Sequence, residues 1–207
     1  MTTLYITRHG ETKWNTEGRM QGWNDSPLTN LGINQAYWLC ERLREMDFHA
    51  IYSSPTGRAY KTAEILKGER DLQIIAHDAL KEMNLSEWEG LDQNEIKRKD
   101  EEQFYNYWKA PQLYKPRGGE GFVELQQRVT SGIREIAENH KDETILIVTH
   151  TMALKALMAS LRNKPISTMW DPPFIKQTSL TIIEIDDDKI NIKMYADASH
   201  HKEIEED

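Results

Sequence analysis

Cysteine is almost absent from this chain of 207 residues: Cys40 stands alone. That excludes an intramolecular disulfide and a thiolate metal cluster. Within the helical stretch Ala36 to Cys40 it reads as a small buried hydrophobe rather than a nucleophile. No apolar run approaches the ~18 residues of a membrane span. The N-terminus lacks a basic stretch followed by an apolar core, so no secretory signal is visible. A cytoplasmic protein without a membrane partner is the expectation. Positive charge is in deficit: 26 Lys and Arg against 34 Asp and Glu give a net charge of −8. That argues against a nucleic-acid partner gripped through its phosphates. No two histidines stand at i, i+4 and no carboxylates pair at ligand spacing, so neither a metal nor a cofactor is expected. His200-His201, in a charged tail, reads as a solvated end. An anion site would have to be built from local positive charge. A guanidinium about 4 Å away supplies several kcal/mol at an effective dielectric of ~20, whereas remote surface carboxylates are screened.

What is present is the material of one α/β domain spanning residues 1–207. Thr3 to Thr7 reads as a short buried strand, and His9 to Pro27 as a loop broken by Gly10, Gly18, Gly22 and Pro27. A helix from about Asn30 to Met46 is capped by Thr29, followed by a strand over Ala50 to Ser53. Pro55 opens a helix to about Lys67, and Leu72 to Ala76 forms a short third strand. Residues 83–117 are irregular, rich in Trp, Tyr, Lys and Glu, and read as a lid-like insertion with short helices between Gln93 and Lys109. A long helix follows from Phe122 to Glu138. Thr144 to Val148 is apolar without alternation, as a central parallel strand should be. Another helix covers Met152 to Leu161. Thr178 to Ile185 and Ile190 to Tyr195 flank Asp186-Asp187-Asp188 as a closing hairpin at the sheet edge. The expected fold is a three-layer sandwich, a mostly parallel central sheet flanked by helices, with a disordered tail over about 199–207.

Four side chains emerge after four successive strands: His9, Arg58, Glu82 and His150. Taken singly each has an ordinary explanation. His9 could be a solvated loop histidine, Arg58 a surface helix residue, Glu82 part of a charged loop, His150 a satisfied core histidine. Together they fall where an open α/β sheet binds its ligand, at the C-terminal ends of its strands. The sequence Arg8-His9-Gly10 adds an imidazole able to attack phosphorus, a guanidinium fork for equatorial oxygens, and a glycine that lets backbone approach an anion.

These residues carry a resemblance to the histidine phosphatase superfamily, the phosphoglycerate-mutase-like enzymes, over nearly the whole chain. Its carriers are Arg8-His9-Gly10-Glu11-Thr12 with Trp14-Asn15, Gln21-Gly22, Ser53-Ser54-Pro55 with Arg58 and Thr62-Ala63, and Glu82 with Glu89-Gly90. Gly119-Glu120 and Val148-Thr149-His150 continue it. The resemblance implies that His9 is the phosphorylated nucleophile and Glu82 the proton donor. It implies a phosphate pocket of Arg8, Asn15, Arg58 and His150, with Gln21 and the backbone of Gly22 and Thr151 as secondary contacts. Members often carry Gly after the second histidine, where this chain has Thr151-Met152, a change that narrows the pocket or repositions a backbone N–H.

The chemistry can be stated on physical grounds. Neutral His9 presents a lone pair to phosphorus while its other ring nitrogen donates to a backbone carbonyl. Arg8, Arg58 and a protonated His150 neutralise the equatorial oxygens, the task metals perform elsewhere. Glu82 protonates the departing alkoxide and then activates water against phospho-His9. Three functions fit: a metal-independent phosphomonoester hydrolase acting on a small organic phosphate ester, a cofactor-dependent phosphoglycerate mutase, or an inactive phospholigand-binding module. A mutase needs extra basic residues in the lid. Lys97-Arg98-Lys99 is offset by Asp100, Glu101 and Glu102, and reads as a solvated helix face. Gly118-Gly119-Glu120-Gly121 resembles the phosphatase branch, so hydrolysis is favoured. Leaving-group recognition is expected from Trp23, the Leu85 to Trp88 loop and Phe104 to Trp108. The sequence leaves the natural substrate and a homodimer open.

Overall fold

In the computed structural model, which describes residues 1–187 and 189–202, the frame is a six-stranded sheet in the order β3-β2-β4-β1-β5-β6. The strands are β1 (Thr2–Arg8), β2 (Ala50–Ser53), β3 (Ile74–Ala76), β4 (Thr144–Thr149), β5 (Leu180–Asp186) and β6 (Lys189–Asp197). The first four run parallel to one another, while β5 is antiparallel to β1 and β6 to β5. Strand β4 lies between β2 and β1, which explains its unbroken apolar text: both of its faces are covered.

Side chains alternate across the strands and so divide the core in two. Leu4, Ile6, Ala50, Tyr52, Ile145, Ile147 and Ile183 point to one side. There they meet Leu125, Val129, Ile133 and Ile136 of α6 (Phe122–Asn139), and Leu154, Leu157 and Met158 of α7 (Thr151–Leu161). Ile51, Leu146, Val148 and Leu180 point to the other side. Their partners are Leu39 of α2 (Asn30–Arg42), with Ala59, Ala63 and Leu66 of α3 (Gly57–Lys67). The expected three layers are therefore present, and each such side chain contributes about 1.5–3 kcal/mol by leaving water.

Several boundaries differ from the sequence expectation. A four-residue helix, α1 (Lys13–Thr16), interrupts the first loop, fixed by a reciprocal cap between Thr12 and Asn15. Helix α3 begins at Gly57 with Thr56 as its cap, so Pro55 precedes the helix rather than opening it. Helix α2 stops at Arg42, short of Met46, and β3 is limited to three residues at the exposed sheet edge. The short helices of the insertion are α4 (Gln93–Lys99) and α5 (Glu101–Lys109), with Asp100 ending one and capping the next. The insertion packs on the α6–α7 side through Trp88, Ile96, Tyr107 and Tyr114.

The tail, expected to be disordered from residue 199, is seated as far as Lys202. Arg42 of α2 donates to Asp197 and Ser199, and both His200 and His201 bond the Thr178 hydroxyl. Residues 203–207 and Asp188 of the expected turn lie outside the described residues. Among the described residues no helix is long and apolar enough to cross a membrane.

Candidate active site

The C-terminal edge of the parallel strands gathers the expected residues. His9 follows β1, its N–H continuing the β1–β4 ladder onto the Thr149 carbonyl at 3.0 Å. Its ring is only 3% exposed. Nδ1–H donates to the Gly10 carbonyl at 2.7 Å, which leaves Nε2 with the lone pair, and Arg58 Nε–H points at it from 3.3 Å. Burial, then the Arg58 and Arg8 charges, hold the His9 pKa well below 6.5. The imidazole is neutral, in the tautomer an attack through Nε2 requires.

Arg58, in the first turn of α3, is 1% exposed and highly constrained. Its two terminal nitrogens donate to the Gly22 and Asn24 carbonyls, each at 2.7 Å, and to Asp25 Oδ1 at 3.0 Å. Burial lowers its pKa and Asp25 opposes that shift. Arg8 donates from Nη1 to the Ile175 carbonyl at 2.8 Å, while its buried Nε has no partner. Burial brings its pKa down to about 10, so it stays charged near neutrality.

His150 caps α7 at the end of β4, its ring centroid 5.1 Å from that of His9. Nε2 lies 2.8 Å from Ser54 Oγ and 3.3 Å from Thr56 Oγ1, and the buried Nδ1 is unpartnered. Burial, reinforced by Arg58, His9 and Arg8, holds its pKa well below 6.5. The imidazolium expected against a phosphate is therefore not the resting form: His150 by itself is neutral.

Glu82 lies beyond β3, past a 3-10 turn at Asp78–Leu80. It reaches the first turn of α7, where Oε1 accepts from the N–H of Ala153 at 3.1 Å and Oε2 from that of Met152 at 3.2 Å. Met83 N–H donates to Oε1 at 2.9 Å. A carboxylate at a helix N-terminus meets favourable dipoles and spare donors. Glu82 shares with Arg8, His9 and Arg58 a cavity of about 350 Å³.

Asn15, Gln21, Gly22 and Thr151 line the same cavity. Asn15 Oδ1 and Gln21 Oε1 are both spent on Thr12, accepting from its N–H and its hydroxyl at 3.1 Å each. Gly22 has φ +54°, and a Cβ there would stand 2.2 Å from Glu89 Oε1. The close approach is functional, because Glu89 accepts from the N–H groups of Trp23, Asn24 and Leu85 and so shapes the loop that holds Arg58.

The upper wall is apolar and aromatic: Trp14, Leu85, Tyr107, Trp108, Trp170 and Phe174. Leu85, Tyr107 and Trp108 stand where leaving-group recognition was expected. Trp23 does not: its indole N–H donates to the Glu82 carbonyl at 2.9 Å, and Lys81 Nζ sits over the ring at 4.7 Å. Lys97, Arg98, Lys99, Lys115 and Arg117 are absent from the cavity lining. Arg117 instead pairs with Asp100 at 3.1 Å.

Sequence reading missed Asp25, Thr56, Trp170 and Phe174, and gave Ser54 and Glu89 no role. For Ser54 a signal existed. Strands β2 and β4 pair with Ser53 opposite Val148, which sets the Ser54 and His150 segments side by side, but only once the strand order is known. Thr62 was also unassigned, and its hydroxyl accepts the Gly10 N–H at 3.1 Å. Nothing in the local text marks Asp25, Trp170 or Phe174.

Two buried guanidiniums, an uncharged imidazole with a free lone pair and a carboxyl group on one cavity suit an enzyme that works on phosphate. Comparison with known proteins narrows this. The chain belongs to the histidine phosphatase superfamily (branch 1), whose sequence model matches residues 4–198, and it is a phosphatase. It is 34% identical over 203 residues to the metal-independent phosphoserine phosphatase of Arabidopsis thaliana, covering 97% of this chain and 83% of that one. The structure of YhfR from Bacillus stearothermophilus superposes with a TM-score of 0.95 at 46% identity, over 97% of this chain and 99% of that one. The alpha-ribazole phosphatase of Shigella flexneri gives a TM-score of 0.87 at 30% identity, over 98% and 100%.

Proposed function

We propose that this phosphatase hydrolyses a small organic phosphate monoester without a metal, through a phosphohistidine at His9. One observation carries the reading. His9 is neutral with Nδ1 locked on Gly10, while Arg8 Nε and His150 Nδ1 are buried polar atoms left without partners. Buried nitrogens are rarely left bare, and a bound anion is a partner that each could take. His9 Nε2 forms a bond to phosphorus as the bond to the leaving oxygen breaks. That oxygen takes its proton from Glu82. Glu82 then removes a proton from water, which attacks phosphorus and breaks the P–N bond, releasing inorganic phosphate and restoring both groups.

Arg8, Arg58 and the His150 Nδ1 carry the equatorial charge in this scheme. A relative described as metal-independent supports it. So does the donor set: among the described residues no three His, Cys, Asp or Glu side chains are grouped to hold a metal ion. Hydrolysis is favoured over mutase chemistry by the cavity wall. Among the described residues that line it, Arg19 is the only cation besides Arg8 and Arg58, and Arg19 is already committed to the Gly90 carbonyl and Glu17. The wall suits an organic leaving group rather than a second anion.

The test is hydrolysis of p-nitrophenyl phosphate in EDTA by the wild type and His9→Ala, with acid-quenched enzyme probed for phosphohistidine. Turnover that persists in EDTA and is lost in His9→Ala is expected, with label trapped on His9. Activity abolished by EDTA, or undiminished in His9→Ala, would overturn it.

A further inference from the structure

Arg128, on the second turn of α6, lines no part of the catalytic cavity. Its guanidinium is nevertheless fully engaged. Nε and Nη2 donate to the two carboxylate oxygens of Glu120 at 2.6 and 2.7 Å. Nη1 donates to the Ala79 and Lys81 carbonyls at 3.0 and 3.1 Å, with the Asp78 carbonyl at 3.4 Å. Nη2 also donates to the Glu82 carbonyl at 3.0 Å. Glu120 accepts the Asn84 N–H at 2.9 Å and donates its own N–H to the Asn84 carbonyl, also at 2.9 Å. One planar fork thus straps the chain before Glu82, at Glu82 and, through Glu120, after it.

Besides this fork, the stretch is held by the Trp23 indole on the same Glu82 carbonyl at 2.9 Å, by the Thr149 hydroxyl on the Leu80 carbonyl at 2.7 Å, and by the burial of Leu80 and Met83. Between the end of β3 and the insertion, regular structure among the described residues amounts to the three-residue 3-10 turn. The N–H groups of Met152 and Ala153 orient the Glu82 carboxylate, but they do not fix the backbone from which it hangs. A bidentate arginine does so with a geometry that lysine cannot copy. Its charge is matched by Glu120, so what it delivers at the cavity is placement.

We propose that Arg128 and Glu120 are positioning residues for Glu82, setting the reach of its carboxyl to the leaving oxygen without touching substrate. The inference rests on Glu82 as the proton donor. Its consequence is a dependence on the leaving group. An alkoxide must be protonated as it departs, whereas p-nitrophenolate leaves unaided, so misplacing the acid slows alkyl esters far more than aryl ones. A purely structural role would slow both alike.

The experiment compares β-glycerophosphate with p-nitrophenyl phosphate for the wild type, Glu82→Gln, Arg128→Lys, Glu120→Gln and the double variant Glu82→Gln/Arg128→Lys. Thermal midpoints would establish that each protein is folded. Glu82→Gln should lose about 10²–10⁴ in kcat on the alkyl ester and far less on the aryl ester. Arg128→Lys and Glu120→Gln should lose about 10–100-fold on the alkyl ester, a few fold at most on the aryl ester, with KM nearly unchanged. The double variant should be no slower than Glu82→Gln alone. Equal losses on both esters in Glu82→Gln would remove the acid assignment itself. A leaving-group-selective Glu82→Gln beside a folded Arg128→Lys or Glu120→Gln that loses equally on both esters, or on neither, would overturn the positioning role. Multiplicative losses in the double variant would do the same. If Arg128→Lys does not fold, Glu120→Gln decides by the same criterion.

Discussion

His150 has one ring nitrogen held by hydroxyls and the other bare, and burial keeps it uncharged. An anion placed against Nδ1 reverses the balance, because opposite charge raises an imidazole pKa. In histidine nitrogen NMR at pH 6, the free enzyme should show His9 and His150 both neutral, with His9 protonated on Nδ1. Saturating phosphate should protonate His150 and leave His9 as it was. Proton uptake on binding means affinity for the dianion rises as pH falls toward 6. A His150 already charged in the free enzyme would contradict this. Removing the hydroxyl in Ser54→Ala leaves Nε2 with only the longer Thr56 contact. A loss of about 1–3 kcal/mol in transition-state stabilisation is expected, roughly 5- to 150-fold in kcat/KM. His9, Arg58, Glu82 and His150 could be found from sequence because each follows a recognisable strand. The roles of Ser54, Asp25 and Glu89 could not, because they depend on which strands are neighbours and on where a loop returns.

At the scale of elements, the loop after His9 is fitted to the start of α2 with no room between backbones. A Cβ on Gly32 would lie 2.0 Å from the Glu11 carbonyl oxygen, and one on Gly10 would lie 2.3 Å from that of Gly32. Gly32→Ala should therefore push the loop outward, costing about 1–3 kcal/mol of stability and displacing His9. Its thermal midpoint should fall by several degrees and kcat/KM should fall with it. A fully active Gly32→Ala enzyme would show that the loop position matters less than the contact suggests. Long elements such as α6 and β4 declared themselves by period and apolar run. Helix α1, four residues long, has no period to read, and its start is fixed by two side-chain hydrogen bonds exchanged between Thr12 and Asn15. Pro55 misled for a related reason: Thr56 takes the cap position without making a side-chain cap bond.

Across the whole molecule, the seated tail ties the second face of the sheet to the catalytic edge. Thr178 bonds His200 and His201 through its hydroxyl and donates its N–H to the Arg8 carbonyl at 3.1 Å. Burial first, then His201 and Arg42, lower the His200 pKa to about 4, while Asp197 opposes. Burial also lowers that of His201, as does Lys176. Histidines with depressed native pKa values bind more protons when unfolded. Their contribution is complete above about pH 6.5 and is lost as pH falls through the native values. The thermal midpoint should drop from pH 6.5 toward 4, and His200→Gln should flatten part of that slope. An unchanged slope would mean that the buried His9 and His150 account for all of it. Sequence alone gave no hint of this seat, since a polar run of histidine, lysine and glutamate carries no sign of the threonine and arginine that receive it.

Strand β1, which delivers Arg8 and His9, is paired on one side with β4 and on the other with β5. Its neighbours are thus encoded far downstream: Thr3 sits opposite Thr144, and Thr7 opposite Leu180. At the usual pace of synthesis, about 5–20 residues per second, the first strand waits roughly 10–35 s on the ribosome for its last partner. Through that interval its apolar edges are a liability for mispairing. A product that stops before Leu180 leaves β1 unpaired on its β5 side, so the setting of Arg8 and His9 is complete only once the last strands have been made.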